Sequence, residues 1–255
     1  MNDRFDLTGR VVIITGGGKG IGKVYAREFA RAGARVVAAD IDGAAAESVA
    51  GEITRDGGDA LARATDIADA ASAEAMAAAA LSRFGAIDVL VNNASLMSVL
   101  KRRSWLEIPV EEWDRVMAVN LRGMFLCCRA VFPAMKAQGR GKIVNISSSR
   151  VFEGTPNRLH YTTSKAGVIG FTRALAREVG EFGITVNAIT PGMTQSETQV
   201  QSSSDNYLAT RINGRALERA QYPEDLVGTV MFLASAASDF MTGQTVNVDG
   251  GKAMH

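Results

Sequence analysis

Tyr161 and Lys165 stand four residues apart in a stretch, Tyr161–Phe182, whose apolar residues recur with helical spacing. That interval places both side chains on one face, one turn apart. A free phenol has a pKa of about 10, too high for a base at neutral pH. A neighbouring ammonium favours the phenolate and is expected to lower that value. The pair then suits proton transfer to or from a hydroxyl. A serine could hold the oxygen on which that proton moves, and Ser147, Ser148 and Ser149 close the β-branched run Lys142–Ser147. Alone, Tyr-x-x-x-Lys is a common spacing, so its meaning depends on what surrounds it.

The second constellation is Thr15-Gly16-Gly17-Gly18-Lys19-Gly20-Ile21-Gly22, between a β-branched run and a helical pattern. Glycines remove Cβ atoms where a chain must turn tightly and approach a ligand. The helix beginning there offers free N–H groups and a positive dipole end, which attract a pyrophosphate. Gly22-Lys23 also resembles the end of a nucleotide-hydrolase loop. Val24 stands where that loop needs a hydroxyl for Mg²⁺, so hydrolysis is disfavoured. Asp40 ends the next β-branched run. A carboxylate there would accept hydrogen bonds from an adenosine ribose and repel a 2′-phosphate, which points to NAD rather than NADP. Lys19, inside the turn, pulls the other way.

Elements that could position these groups alternate along the chain. Strands are expected over Val11–Thr15, Arg35–Ala39, Ala60–Thr65, Ile87–Val91, Lys142–Ser147, Thr185–Thr190 and Thr245–Val248. Several are continuous Val/Ile runs, as in parallel strands buried on both faces. Helices are expected over Ile21–Ala32, Ala44–Asp56, Ala70–Phe84, Val110–Gln138, Tyr161–Phe182 and Pro223–Ala234, five of them followed by glycine. The alternation predicts one α/β domain over 1–255, a doubly wound parallel sheet of about seven strands with helices on both faces, Rossmann-like. The carboxyl edge of such a sheet is where ligands bind, and the serine run ends there. The polar stretch Thr194–Arg215 is long for a loop and reads as a substrate lid or a plain surface insertion.

Composition excludes several classes. A net charge of +1 argues against a nucleic-acid partner. The one compact basic run, Lys101-Arg102-Arg103, suits a solvated loop or an anion contact. The two cysteines, Cys127 and Cys128, are adjacent and form no disulfide framework, which fits a cytoplasmic setting. Two histidines and no His-Glu-x-x-His pattern leave no expected metal site. The first ten residues have no apolar signal core, and no membrane anchor is expected.

Taken together, these segments resemble the short-chain dehydrogenase/reductases over nearly the whole chain. The matching pieces are Thr15–Gly22, Asp66, Asn92-Asn93-Ala94, Asn120 in Met117-Ala118-Val119-Asn120, the serine run, Tyr161 with Lys165, and Pro191-Gly192. The resemblance implies an NAD-dependent oxidoreductase that moves a hydride between the nicotinamide and a carbonyl or alcohol carbon. Tyr161 would be the acid/base and Lys165 would lower its pKa and bind the nicotinamide ribose. Ser148, by its offset from the tyrosine, would clamp the substrate oxygen. Asn120 would open its helix locally and hold a water in a proton relay. Gly16, Gly18, Lys19, Gly20, Ile21 and Gly22 would hold the pyrophosphate end, and Asp40 the ribose. Asp66 would meet the adenine, with Ile67 beside it. Asn93 would support the central turn next to Ala94. Pro191, Gly192, Met193 and Thr194 would lie along the nicotinamide, with Thr194 on the carboxamide. Ser95 departs from the family's usual glycine. Asn92–Ser95, Thr155–Asn157 and Thr242–Thr245 also resemble a subgroup that includes pyridoxal 4-dehydrogenase and 1-phenylethanol dehydrogenase.

The substrate pocket is expected to include Ser95, Met97, Ser148, Arg150, Phe152 and Tyr161. Arg150 suits a carboxylate or phosphate contact, or a solvent-facing position. Phe152 suits the pocket or ordinary packing. A small-molecule alcohol or carbonyl compound is the expected partner. The relatives' paired long helices imply a homotetramer. Rival readings are a 3-oxoacyl thioester reductase using NADPH and a non-catalytic NAD-binding regulator. The second should have lost Ser148, Tyr161 or Lys165, and all three are present.

Overall fold

A computed structural model describes residues 4–200 and 214–254. Seven strands form one sheet in the order β3-β2-β1-β4-β5-β6-β7. They are β1 (Val11–Thr15), β2 (Arg35–Asp40), β3 (Asp59–Ala64), β4 (Val89–Asn92), β5 (Gly141–Ile146), β6 (Ile184–Pro191) and β7 (Thr245–Val248). Every pairing is parallel, with Ile13 opposite both Val37 and Leu90. Successive residues of a strand face opposite sides. Val11 and Ile13 pack into one core, and Val12 and Ile14 into the other. That is why β1 has no polar alternation: both faces are covered.

The first core lies under α3 (Ala70–Phe84), α5 (Met124–Gln138) and α7 (Leu159–Val179). The second lies under α1 (Gly20–Arg31), α2 (Gly43–Arg55) and α9 (Glu224–Ala234). Local signals set the helix ends. Asp42 caps α2 by accepting from Ala45 N at 3.1 Å, and Asp69 caps α3 by accepting from Ser72 N at 2.8 Å. The glycines expected past helix ends, Gly33, Gly57, Gly85, Gly139 and Gly183, all take positive φ. Two short helices, α6 (Arg150–Glu153) and α8 (Glu197–Val200), lie in loops where none was expected.

The long helix expected over Val110–Gln138 is interrupted. α4 (Val110–Met117) passes into a π-helical turn over Ala118–Gly123 before α5 begins. By length and hydropathy this run could cross a membrane. Here Cys127, Val131 and Met135 are buried in the first core against the sheet. The fourth strand starts at Val89, two residues later than expected, and α7 starts at Leu159, two residues earlier. Of the proposed lid over 194–215, residues 201–213 lie outside the described residues.

Candidate active site

Chain direction across the sheet reverses between β1 and β4, which are neighbours. The carboxyl ends of strands at such a point open a crevice. There a cleft runs from the glycine turn after β1 to Tyr161 and Lys165 on α7.

The glycine end is built from backbone. A Cβ on Gly22 would collide with the Gly16 carbonyl oxygen and lie 2.6 Å from Asn93 Nδ2. Asn93 Nδ2 donates to Thr15 O at 3.0 Å and Gly16 O at 3.3 Å. Thr15 Oγ1 accepts from Asn93 N and Ala94 N, at 3.0 and 3.1 Å. The turns after β1 and β4 are thereby tied into one floor. Gly18 N donates to Asp40 Oδ2 at 2.9 Å, placing that carboxylate at the tip of β2 beside the turn. Lys19 does not stand alone: its ammonium lies 2.6 Å from Asp42 Oδ2. This contact raises the Lys19 pKa and lowers that of Asp42. Gly20 N donates to Glu197 Oε1 at 3.1 Å, so this amide already receives an anion.

Not every expected cofactor residue lines the cleft. Gly16, Lys19, Gly20, Ile21, Asn93 and Ala94 do, and so do Pro191, Gly192, Met193 and Thr194. Gly18, Gly22, Asp40, Asp66 and Ile67 sit behind or beside it. Asp66 is exposed past β3, its carboxylate accepting from Ala68 N at 2.9 Å. Thr65 N donates to Asp40 O, which keeps the ends of β2 and β3 together. Ile67 is buried where a Cβ on Gly123 would lie 2.9 Å from it, so it packs under the π-helical turn. Thr194 Oγ1 donates to Gly192 O at 3.2 Å.

At the reacting end, Tyr161 is buried against Leu100 and Val116. The three serines separate by partner. Ser147 Oγ donates to Lys165 O at 2.7 Å, and Ser149 Oγ donates to Glu153 at 2.8 Å. Ser148 is the one whose hydroxyl acts on the Tyr161 phenol, favouring its charged form. Lys165 Nζ donates to Ile146 O at 2.8 Å and lies 5.8 Å from the Tyr161 ring centroid.

The expected effect on the phenol is corrected here. Burial pushes the Tyr161 pKa up rather than down, and Ser148, Arg150 and Arg158 offset this in part. Lys165 itself is lowered by burial to about 7, so it is a weak source of positive charge. The helix opens around Asn120 as a π turn, and its side chain is held by the loop after β4 and by α7. Oδ1 accepts from Leu96 N at 2.8 Å, while Nδ2 donates to Leu96 O and Ser164 Oγ at 3.3 and 3.0 Å. It braces the loop after β4 against α7.

On the substrate side, Ser95, Met97, Ser148 and Arg150 line the cleft, and Phe152 does not. Phe152 is half-buried on the one-turn α6, which places its neighbour Arg150 in the lining instead. Arg150 is only 9% exposed, which settles it as a cleft residue rather than a solvent-facing one. Sequence reasoning missed Arg158, Asp42 and Glu197. Asp42 follows Asp40 by two residues, and that acidic pair was a readable signal. Arg158 and Glu197 join the site only through tertiary contacts.

A family model described as enoyl-(acyl carrier protein) reductase matches residues 16–253. The chain is 38% identical over 250 residues to a 3-oxoacyl-[acyl-carrier-protein] reductase of Synechocystis sp., covering 97% of this chain and 98% of the relative. It is 43% identical over 249 residues to a probable short-chain type dehydrogenase/reductase of Bradyrhizobium diazoefficiens, covering 97% and 88%. A crystal structure of 3-ketoacyl-(acyl-carrier-protein) reductase from Brucella melitensis complexed with NADH superposes with a TM-score of 0.90 at 36% identity, covering 97% of this chain and all of that one. The glycine turn, the serine strand end and the tyrosine helix stand on a sheet shared with these proteins, and the chain belongs to the short-chain dehydrogenase/reductases, a family of nicotinamide-dependent oxidoreductases.

Proposed function

We propose that this chain is an NAD-dependent alcohol dehydrogenase/ketone reductase in which Tyr161 is the general acid/base. One observation carries the reading: the Ser148 hydroxyl and the Tyr161 phenol share one cleft, with Lys165 beside the ring, and that cleft continues to the glycine turn. The turn fits a dinucleotide. It closes where a Cβ on Gly22 would clash, and the Gly20 amide already donates to a carboxylate as it would to a phosphate. When bound, the nicotinamide supplies the acceptor or donor of the hydride. The chain supplies position and proton transfer.

In oxidation, Tyr161 takes the hydroxyl proton of the alcohol. Ser148 donates a hydrogen bond to the same oxygen, a contact that strengthens as negative charge builds there. Lys165 faces the ring from the same cleft and is placed to bind the nicotinamide ribose. Asn120 holds the loop that carries Ser95 and Met97. Pro191, Gly192, Met193 and Thr194 wall the nicotinamide side.

Asp40 supports NAD over NADP, because it sits on the Gly18 amide where a 2′-phosphate would approach. The Lys19–Asp42 contact supports the same preference by neutralising the turn's cation. A relative crystallised with NADH adds to it. A second reading is 3-oxoacyl thioester reduction with NADPH; its thioester part is favoured by the similarity to two 3-oxoacyl-carrier reductases, one of them crystallised with NADH. Apolar side chains remain exposed on the long helices, Phe125 on α5 and Leu159 on α7. A homotetramer that buries them is the proposed assembly, in the cytoplasm, where the buried thiols of Cys127 and Cys128 stay reduced.

Following reduced-nicotinamide absorbance with a panel of alcohols and ketones, and with both nucleotides, tests the reading. Tyr161→Phe should keep NADH binding and lower kcat by about 10³-fold. Turnover at the wild-type level in that variant removes Tyr161 from its role. A strong preference for NADPH with a 3-oxoacyl thioester selects the second reading.

A further inference from the structure

Three successive residues of the glycine turn are met by three carboxylates from different segments. Gly18 N donates to Asp40, the Lys19 ammonium pairs with Asp42, and Gly20 N donates to Glu197. The first two acids are placed by local structure: Asp40 ends β2, and Asp42 caps α2. Glu197 is different. It comes from 177 positions along the chain, on the one-turn helix α8 that follows β6. It also meets the amide that opens α1, where an incoming phosphate would be received.

α1 has no cap of its own. Lys19, at the capping position, makes no side-chain cap hydrogen bond, and the first turn holds no acidic residue. The Glu197 carboxylate fills that role from a distance, 3.1 Å from Gly20 N, and its charge also raises the Lys19 pKa. The segment that carries it is seated on the turn. A Cβ on Gly20 would lie 3.0 Å from Thr198 Oγ1 and 3.6 Å from Ser196 Oγ, and these two hydroxyls are hydrogen-bonded at 3.1 Å. Both residues line the cleft beside Gly20 and Ile21. The segment is rooted one step earlier, where Thr194 bridges to Gln221 and Gln195 N donates to Gln221 O at 2.7 Å. Glu197 itself is exposed, so its carboxylate can return to water without burying a charge. It cannot share the amide with a phosphate: a single N–H would serve two acceptors, and two negative charges would stand in contact.

We propose that Glu197 is an internal competitor for the phosphate place at the start of α1, so that a dinucleotide binds only as this carboxylate leaves the Gly20 amide and the 196–198 segment lifts from the glycine turn. This deepens the dinucleotide reading of the turn and rests on it. Glu197 then sets cofactor affinity and takes no part in the proton or hydride transfer. The exchange also links the two ends of the cleft, because the segment that lifts continues directly from Met193 and Thr194, which wall the nicotinamide side.

The test titrates the full chain with NADH, with inorganic pyrophosphate and with adenosine, by calorimetry, in the wild type, Glu197→Gln and Glu197→Ala. Melting temperatures check that both variants are folded. Glu197→Ala should tighten NADH and pyrophosphate by about tenfold, the low end of what a hydrogen bond to a charged group contributes. Glu197→Gln should gain less, because its amide oxygen still accepts from Gly20 N but carries no charge. Adenosine, which has no phosphate, should bind all three proteins alike. Unchanged or weaker NADH and pyrophosphate in Glu197→Ala would overturn the proposal. Equal gains in the two variants would also overturn it, since they would mean repulsion through space rather than occupation of the amide, and so would an equal gain for adenosine. Each of these outcomes leaves the dinucleotide reading standing. No binding of NADH, NADPH or pyrophosphate by any of the three proteins would instead overturn that reading, and this proposal with it.

Discussion

The two ends of the cleft are made differently. The nucleotide end is mostly backbone: amides, a carbonyl and space where side chains are missing, with Asp40 at its rim. The reacting end is mostly side chains: a phenol, a hydroxyl, an ammonium and two guanidiniums, all buried. Backbone sites tolerate no added atom, because close-packed surroundings cannot yield. Side-chain sites depend on which charges survive burial, because water is excluded and charged forms become costly. One end therefore breaks when something is added, and the other when something is removed or its charge is changed.

The largest effect that would sharpen this contrast is expected from Gly22→Ala. The new Cβ meets the Gly16 carbonyl oxygen and Asn93 Nδ2. Overpacking of this kind costs about 3 kcal/mol, which corresponds to NADH binding weaker by about 100-fold. Titration by nucleotide fluorescence reads it, and near-normal affinity would show that the turn has slack. Next, Asp40→Ala removes the carboxylate at the rim without adding atoms. The kcat/KM ratio of NADPH to NADH should rise by about tenfold, the size of a modest like-charge penalty. An unmoved ratio would place nucleotide choice elsewhere.

A separate effect, on stability rather than nucleotide choice, comes from Lys165. Burial lowers it to about 7 from its ordinary 10.5. In the unfolded chain it keeps its proton up to that ordinary value. Between about pH 7 and 10 the unfolded state therefore binds more protons, and folding stability rises with pH. Below pH 7 both states carry the charge and this contribution is lost. Denaturant midpoints at pH 7 and 9.5 measure the rise in the nucleotide-free chain, and Lys165→Met should flatten it. An equal rise in that variant assigns the titration to another group. The smallest effect is expected from Asp42→Asn. Its partner Lys19 is exposed, and exposed ion pairs add little to stability. The melting temperature should stay within error, and a clear drop would mean that the pair holds the glycine turn in shape.

The same division governs what could be read without coordinates. The glycine turn, Asp40 and the seven strands follow from residue types in order along the chain, because backbone geometry leaves its mark on composition. Ala70–Phe84 and Thr245–Val248 have the expected bounds, and Val11–Thr15 does too. The buried end was legible in its members but not in its electrostatics. Tyr161 and Lys165 were found by spacing, yet the direction of the Tyr161 shift came out reversed. Spacing says that two groups are near and says nothing of how dry they are. Phe152 was misplaced because one turn of helix at 150–153 decides which neighbour faces the cleft. Arg158 carries no local mark at all; its reach to Met97 and Leu100 spans about sixty positions of chain.

The π-helical turn at 118–123 holds one residue more than a regular helical turn would. Each α-helical residue advances about 100° around the axis. The surplus residue therefore rephases everything beyond it, so that the two halves of a 29-residue rod present their apolar stripes in different directions. Val116, ahead of the turn, meets Tyr161, whereas Cys127 and Val131, beyond it, meet the sheet. Deleting a single amino acid from this stretch would restore a uniform spiral and leave one of those two contacts aimed at nothing.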